Sequence, residues 1–144
     1  MSKETTKPIS VTVEALVKAP VEKVWKTWNT PEDITKWCQA SDDWHAPYAE
    51  NDLRKGGKFK TTMAAKDGSF SFDFGGEYTN VEINKVIEYI MEDGRKTKIV
   101  FTAQGNETKV VETFDAESEN PVEFQQQGWQ AILNNFKKYT ESIS

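Results

Sequence analysis

His45 is the one histidine of the 144-residue chain, and an imidazole is the side chain most readily used as a general acid or base near neutral pH. It lies close to Trp44 and Pro47 in a stretch that reads as a loop, where a lone histidine is usually solvated. No Ser or Cys nucleophile signature stands near it, and the pattern places no pair of carboxylates. His45 is therefore only a weak candidate, and no catalytic residue is assigned. Cys38 follows Trp37 at the expected end of a helix and reads as a small, partly buried apolar residue rather than a redox centre.

One cysteine cannot form an internal disulfide, and one cysteine with one histidine cannot assemble a usual zinc ligand set. A reducing, cytoplasmic setting and no metal are expected. Gly56-Gly57 and Gly75-Gly76 fall at the start and middle of strand-like runs and open no helix, so neither can cradle a phosphate. No cofactor is expected.

Binding chemistry is better represented. Phe59, Met63, Phe72, Phe74, Phe101, Trp129 and Leu133 fall on faces that should point between a sheet and a long helix. They could line a cavity, or they could make the ordinary core that any stable domain needs. Gln125 and Gln126 precede Trp129 by three to four residues, so one of them should sit on an otherwise apolar helical face. A buried amide needs a partner, which a ligand carbonyl or hydroxyl, a backbone group or an ordered water could supply. Tyr78 and Tyr89 raise the same question. Trp44 and His45 would belong to a lid over the mouth of such a cavity.

The elements that position these residues follow from their periods. Ile9, Val11, Val13, Ala15 and Val17 alternate with polar residues, as in a strand with one buried face. Pro20 suits a first helical position, after which Val21, Val24, Trp25 and Trp28 recur at helical spacing. Thr30-Pro31 signals a second short helix carrying Ile34 and Trp37, with Thr30 able to cap it. Residues 38 to 52 read as irregular, with at most a short strand near Asn51 to Arg54.

Strand-like runs follow around Phe59–Met63, Phe70–Tyr78, Lys85–Met91, Thr97–Ala103 and Glu107–Asp115. Asp67-Gly68, Asp93-Gly94 and Gly105-Asn106 supply hairpin turns. The sheet should be wholly antiparallel, with Gly75-Gly76 marking a bulge or bend that lets it curl. From Pro121 to about Glu141, Trp129, Ile132, Leu133 and Phe136 form the stripe of the longest helix, ~31 Å at the usual rise.

Eight Phe and five Trp give a composition with 28% charged residues a core of large rings. The net charge of -5, with no basic cluster, argues against nucleic acid or an anionic membrane as partner. No apolar run approaches the ~18 residues needed to span a bilayer. Residues 1 to 8 lack the apolar stretch of a signal peptide and are expected to form a disordered tail, leaving one domain over 9–144. A monomer or weak homodimer is compatible with all of this.

The order of elements resembles the START-like superfamily (SRPBCC), and within it the family named after the activator of the heat-shock-90 ATPase. The residues that carry the resemblance are Val17-Lys18-Ala19-Pro20-Val21-Glu22-Lys23-Val24-Trp25, Asp52-Leu53-Arg54-Lys55-Gly56-Gly57-Lys58-Phe59, and Gly128-Trp129 with Ile132, Leu133 and Phe136. It spans about Ile9 to Ser142. It implies an α+β helix-grip fold, in which a curved antiparallel sheet of six or seven strands wraps a long C-terminal helix, with two short helices after the first strand. Relatives use the enclosed space for lipids, sterols, polyketides or hormones, yet the fold alone implies no single reaction. The leading expectation is a binding protein for a small hydrophobic or amphipathic molecule. The rivals are a cyclase-, dehydratase- or hydrolase-type enzyme on a bound apolar substrate, and a co-chaperone contacting a heat-shock ATPase through its exterior.

Overall fold

Strict alternation builds the first strand, β1 (Ser10–Val17), where Val11, Val13 and Val17 are buried between exposed neighbours. The computed structural model describes residues 9–39 and 41–143; the tail expected over residues 1–8 lies outside them. Ile9, expected to open the buried row, precedes the strand and is 59% exposed.

Two short helices follow, α1 (Val21–Asn29) and α2 (Pro31–Trp37). Pro20 stands just before α1 rather than in its first turn, with an extended backbone whose carbonyl accepts the Val24 N–H at 3.0 Å. Thr30 occupies the position before α2, but its hydroxyl donates back to the Lys26 carbonyl at 2.7 Å. It therefore closes α1, whose Lys26 carbonyl also accepts the Thr30 N–H at 3.0 Å, and does not cap α2 with its side chain.

Six more strands and one helix complete the chain: β2 (Trp44–Asn51), β3 (Lys58–Ala65), β4 (Ser71–Glu82), β5 (Val86–Met91), β6 (Lys96–Gln104), β7 (Glu107–Asp115) and α3 (Val122–Ser142). They form one seven-stranded antiparallel sheet in the order β1-β7-β6-β5-β4-β3-β2. It curls into a half-barrel around α3, the helix-grip arrangement. Turns at Gly68, Gly94 and Gly105 carry φ of +80°, +93° and +66°, the left-handed backbone that a tight hairpin requires of them.

Two expectations about the sheet need correction. The stretch read as an irregular lid is for most of its length β2, an edge strand paired with β3; its register slips between His45 and Tyr48, around Pro47. An edge strand tolerates a residue without an N–H, and the slip absorbs it, which is why alternation was hard to see there.

The second correction concerns Gly75-Gly76, where pairing with β3 runs on unbroken; the bulge in β4 falls three residues later, between Tyr78 and Asn80. The glycines serve close approach instead. A Cβ on Gly75 would stand 2.4 Å from the Phe59 carbonyl oxygen, and one on Gly76 2.6 Å from that of Ile90. The bulge then turns Val81, rather than Asn80, towards the interior opposite Ile87.

The interior is filled unevenly. At one end Trp28 meets Trp37 at 4.9 Å, Phe136 at 4.8 Å and Phe101 at 5.8 Å between ring centroids, and Trp25 meets Phe101 at 5.2 Å. That end is solid. α3 lies closest to β1 and also touches α1 and α2, while β3, β4 and β5 curve round its far side. Side chains on that side must bridge a wider gap than the one at β1.

Candidate functional site

The bridging is incomplete and leaves a cavity of about 660 Å³. Its sheet wall carries Phe59, Thr61 and Met63 from β3, Phe72, Phe74 and Tyr78 from β4, Ile87 and Tyr89 from β5, and Glu112 from β7. Alternation puts these residues on the concave face, every second position pointing inward. α3 contributes Gly128, Trp129, Ala131 and Ile132, and α2 with the residue after it contributes Ile34, Trp37 and Cys38. Trp129 lies flat on Phe114 and edge-on to Phe74, which props the helix away from β4.

The mouth is ringed by exposed aromatics. Phe72 is 42% and Phe124 65% exposed although both line the cavity. Trp44, from β2, packs against Phe72 at 5.9 Å and against Phe70 at 6.1 Å. Large rings left in water beside an apolar opening are the usual mark of a binding rim.

Of the residues singled out from the sequence, Trp44, Phe59, Met63, Phe72, Phe74, Tyr78, Gln125 and Trp129 meet at this cavity. Four do not. Phe101 and Leu133 are buried away from the cavity wall, with Trp25 and Trp28 of α1 packed on Phe101. His45 is exposed on the edge strand and stands off the wall, because its neighbour Trp44 takes the inward position. Gln126 is exposed and reaches the Thr12 carbonyl at 3.3 Å.

The buried amide on the helical face is Gln125, and its partners are backbone groups. Nε2 donates to the carbonyls of Glu117 at 3.0 Å and Asn120 at 2.8 Å, while Oε1 accepts the Glu117 N–H at 2.8 Å. Gln125 thus clamps the segment entering α3 and is not free to orient a ligand. The Tyr78 hydroxyl is likewise committed, donating to Asn51 Oδ1, whose Nδ2 donates to the Asn29 carbonyl at 2.8 Å. Burial pushes both the Tyr78 and Tyr89 phenols up, so they remain neutral.

Among the polar wall residues that the sequence reading did not single out, Glu112 is the buried carboxylic acid. Glu112 is 6% exposed, and burial alone lifts its carboxyl to about 8. Its cross-strand neighbours are Val13 and Ile99, and beyond Ile99 lies Ile87, so the carboxyl sits in an aliphatic row. The signal was available: Thr108, Val110, Glu112 and Phe114 form an unbroken alternating buried row in β7. A charged residue in such a row is the exception that marks a site. Cys38 lies near enough for that carboxylate to help burial push its thiol up to about 12.

The pattern of the family described as activator of Hsp90 ATPase homolog 1-like protein matches residues 18–141. The chain belongs to that family. Among similar solved structures, the protein Chr148 from Cytophaga hutchinsonii is 63% identical, with a TM-score of 0.80 over 92% of each chain. The AHSA1-like protein from Aeromonas hydrophila is 44% identical, with a TM-score of 0.87 over 93% of each chain. Protein CV1439 from Chromobacterium violaceum, at 22% identity and TM-score 0.84 over 94% of this chain and 100% of its own, shares the fold. Comparison with curated proteins finds no match.

Membership in the family accounts for the START-like architecture but assigns no chemistry to the cavity. Among the described residues no helix is long and apolar enough to cross a membrane. Nor do three or more His, Cys, Asp or Glu among them group to hold a metal ion.

Proposed function

We propose that this chain binds a small hydrophobic or amphipathic molecule in the cavity between α3 and β3–β5. The observation that carries the reading is the cavity itself, about 660 Å³, within the range of small-molecule sites. Most of its wall surface is aromatic and aliphatic, and its rim keeps apolar rings in water. Burying even half of a ligand's apolar surface there contributes at ~25 cal/mol per Å².

The other readings have less behind them. For an enzyme the buried acid or base of the wall is Glu112, while His45 stands outside the wall and the Tyr78 hydroxyl is engaged. One such group supports proton transfer but supplies no nucleophile or oxyanion donor. The co-chaperone reading rests on the family's name.

The test uses N-phenyl-1-naphthylamine, a neutral apolar fluorophore, as probe. Saturable one-site binding is expected, and Ala131→Phe, which places a ring in the cavity from α3, should weaken it at least tenfold. Absence of saturable binding to the unaltered protein would end the proposal. Native mass spectrometry of protein purified from its own host should in addition show a retained small molecule.

A further inference from the structure

The question left by the cavity is what kind of molecule it suits, and Glu112 is the group that discriminates. The residue is more than nine-tenths buried, and its side chain lines the cavity and takes no hydrogen bond from any described residue. A buried ionisable group without a partner costs stability, and an apolar side chain of similar volume would fill the row with Val13, Ile99 and Ile87 at no such cost.

The charges around Glu112 are as telling. Cys38 after α2 and Tyr89 on β5, two titratable groups that the Glu112 charge reaches, are both held neutral by burial, as is Tyr78 on β4. α3 brings the amides of Gln125 and Gln127 to the wall but no charge. Farther round the lining stand Glu50 on β2, Glu117 before α3, and Arg95, whose guanidinium is paired with Asp93 at 2.7 Å. Carboxyl groups thus outnumber cations on the wall, and the one cation already has a partner. The rings of Phe59, Phe74, Tyr89 and Trp129 turn towards the same space, and aromatic faces attract positive charge.

On the reading that this cavity holds a small molecule, we propose that its occupant is an apolar amine, whose protonated nitrogen pairs with the Glu112 carboxylate while its body lies among the rings. A fatty acid or other anionic amphiphile would bring a second negative charge to a desolvated carboxylate. A neutral alcohol could share a hydrogen bond with the protonated acid but would forgo the charge-assisted one. Because the empty cavity favours the neutral acid, pairing with ammonium releases a proton. Affinity for the amine should therefore rise with pH until Glu112 is fully ionised.

Three probes on one skeleton make the test: 4-phenylbutylamine, 4-phenylbutan-1-ol and 4-phenylbutyric acid, titrated calorimetrically into the full chain. At pH 8 the amine should bind roughly ten- to a hundredfold more tightly than the alcohol, as expected for a hydrogen bond between charged groups. The acid should bind most weakly. Glu112→Gln should abolish the amine's advantage, leaving amine and alcohol with similar affinity. Between pH 6 and 8 amine affinity should climb about tenfold per unit, following the ionised fraction.

A second measurement needs no variant: the side-chain carboxyl carbon-13 resonance of Glu112 should titrate with a lower midpoint when the protein is saturated with 4-phenylbutylamine. An unmoved midpoint, or an amine preference that survives Glu112→Gln, would overturn the proposal. Equal binding of amine and alcohol would overturn it while leaving the cavity reading intact. Failure of all three probes to bind would count against both.

Discussion

Trp129 of α3 lies flat on Phe114 of β7, ring centroids 3.9 Å apart and planes 9° from parallel. This contact joins the long helix to the sheet beside the cavity, and the edge-on contact of Trp129 with Phe74 at 5.9 Å extends it to β4. The helix is thereby held at a fixed height above strands it does not touch closely.

Trp129→Leu should therefore loosen the fold and enlarge the cavity together. A loss of roughly 2–4 kcal/mol is expected from the missing stack and the void it leaves. Urea unfolding measures the first effect, and uptake of larger apolar fluorophores the second. A change below 0.5 kcal/mol would show that the stack does not hold the helix.

Glu112 should make stability depend on pH in a particular sense. Its folded value of about 8 lies above the ordinary 4.5, so between those values the folded protein holds the proton more tightly than the unfolded chain. Stability should fall as pH rises through that window, by at most ~1.4 kcal/mol per unit, and the contribution should level off above it. Glu112→Gln should remove the slope, so the variant matches the unaltered protein near pH 4 and exceeds its stability at pH 8. Unfolding curves at several pH values, with the probes absent, decide the matter; a constant difference would contradict it.

Gly76→Ala should be costly although the change adds one methyl group. The new Cβ would meet the Ile90 carbonyl oxygen at 2.6 Å, and the opposing atoms are backbone that can yield only by moving β4 from β5. A destabilisation of roughly 2 kcal/mol or more is expected, measurable as a drop in Tm.

Gly128→Ala should act in the opposite direction. Gly128 lies within α3, and a Cβ there would find open space within 4 Å. Removing a mid-helix glycine should stabilise the protein by about 1 kcal/mol. A loss of stability in denaturant titration would mean that the helix needs that glycine for a close contact.

Cys38 should resist alkylation. With its thiol near 12 against an ordinary 9.0, the thiolate fraction at pH 8 is lower by roughly a thousandfold, and iodoacetamide should label it correspondingly slowly in the folded protein. Addition of urea past the unfolding midpoint should restore ordinary reactivity. Rapid labelling of the native state, followed by mass spectrometry, would refute this.

Much of this architecture could be read from the chain alone, because its signals are local. The alternation of Val11, Val13 and Val17, the Asp67-Gly68 and Asp93-Gly94 turns, and the helical stripe through Trp129, Leu133 and Phe136 each depend on residues a few positions apart. β2 was obscured because Pro47 breaks the period at its register slip. The row through Glu112 was as regular as any other, but the habit of placing carboxylates outside conceals an inward one.

What periodicity supplies is the face on which a residue lies; it does not say what stands opposite. Phe101 and Phe59 both point inward, yet Phe101 meets Trp25 and Trp28 in a filled interior while Phe59 borders the cavity. That difference depends on where α1 and α2 pack and how far α3 stands from β3–β5, distances set by contacts between residues far apart in the chain. Gln125 shows the same division: its burial followed from helical spacing, whereas its partners, the backbone of Glu117 and Asn120, were chosen by the path of the segment that enters α3.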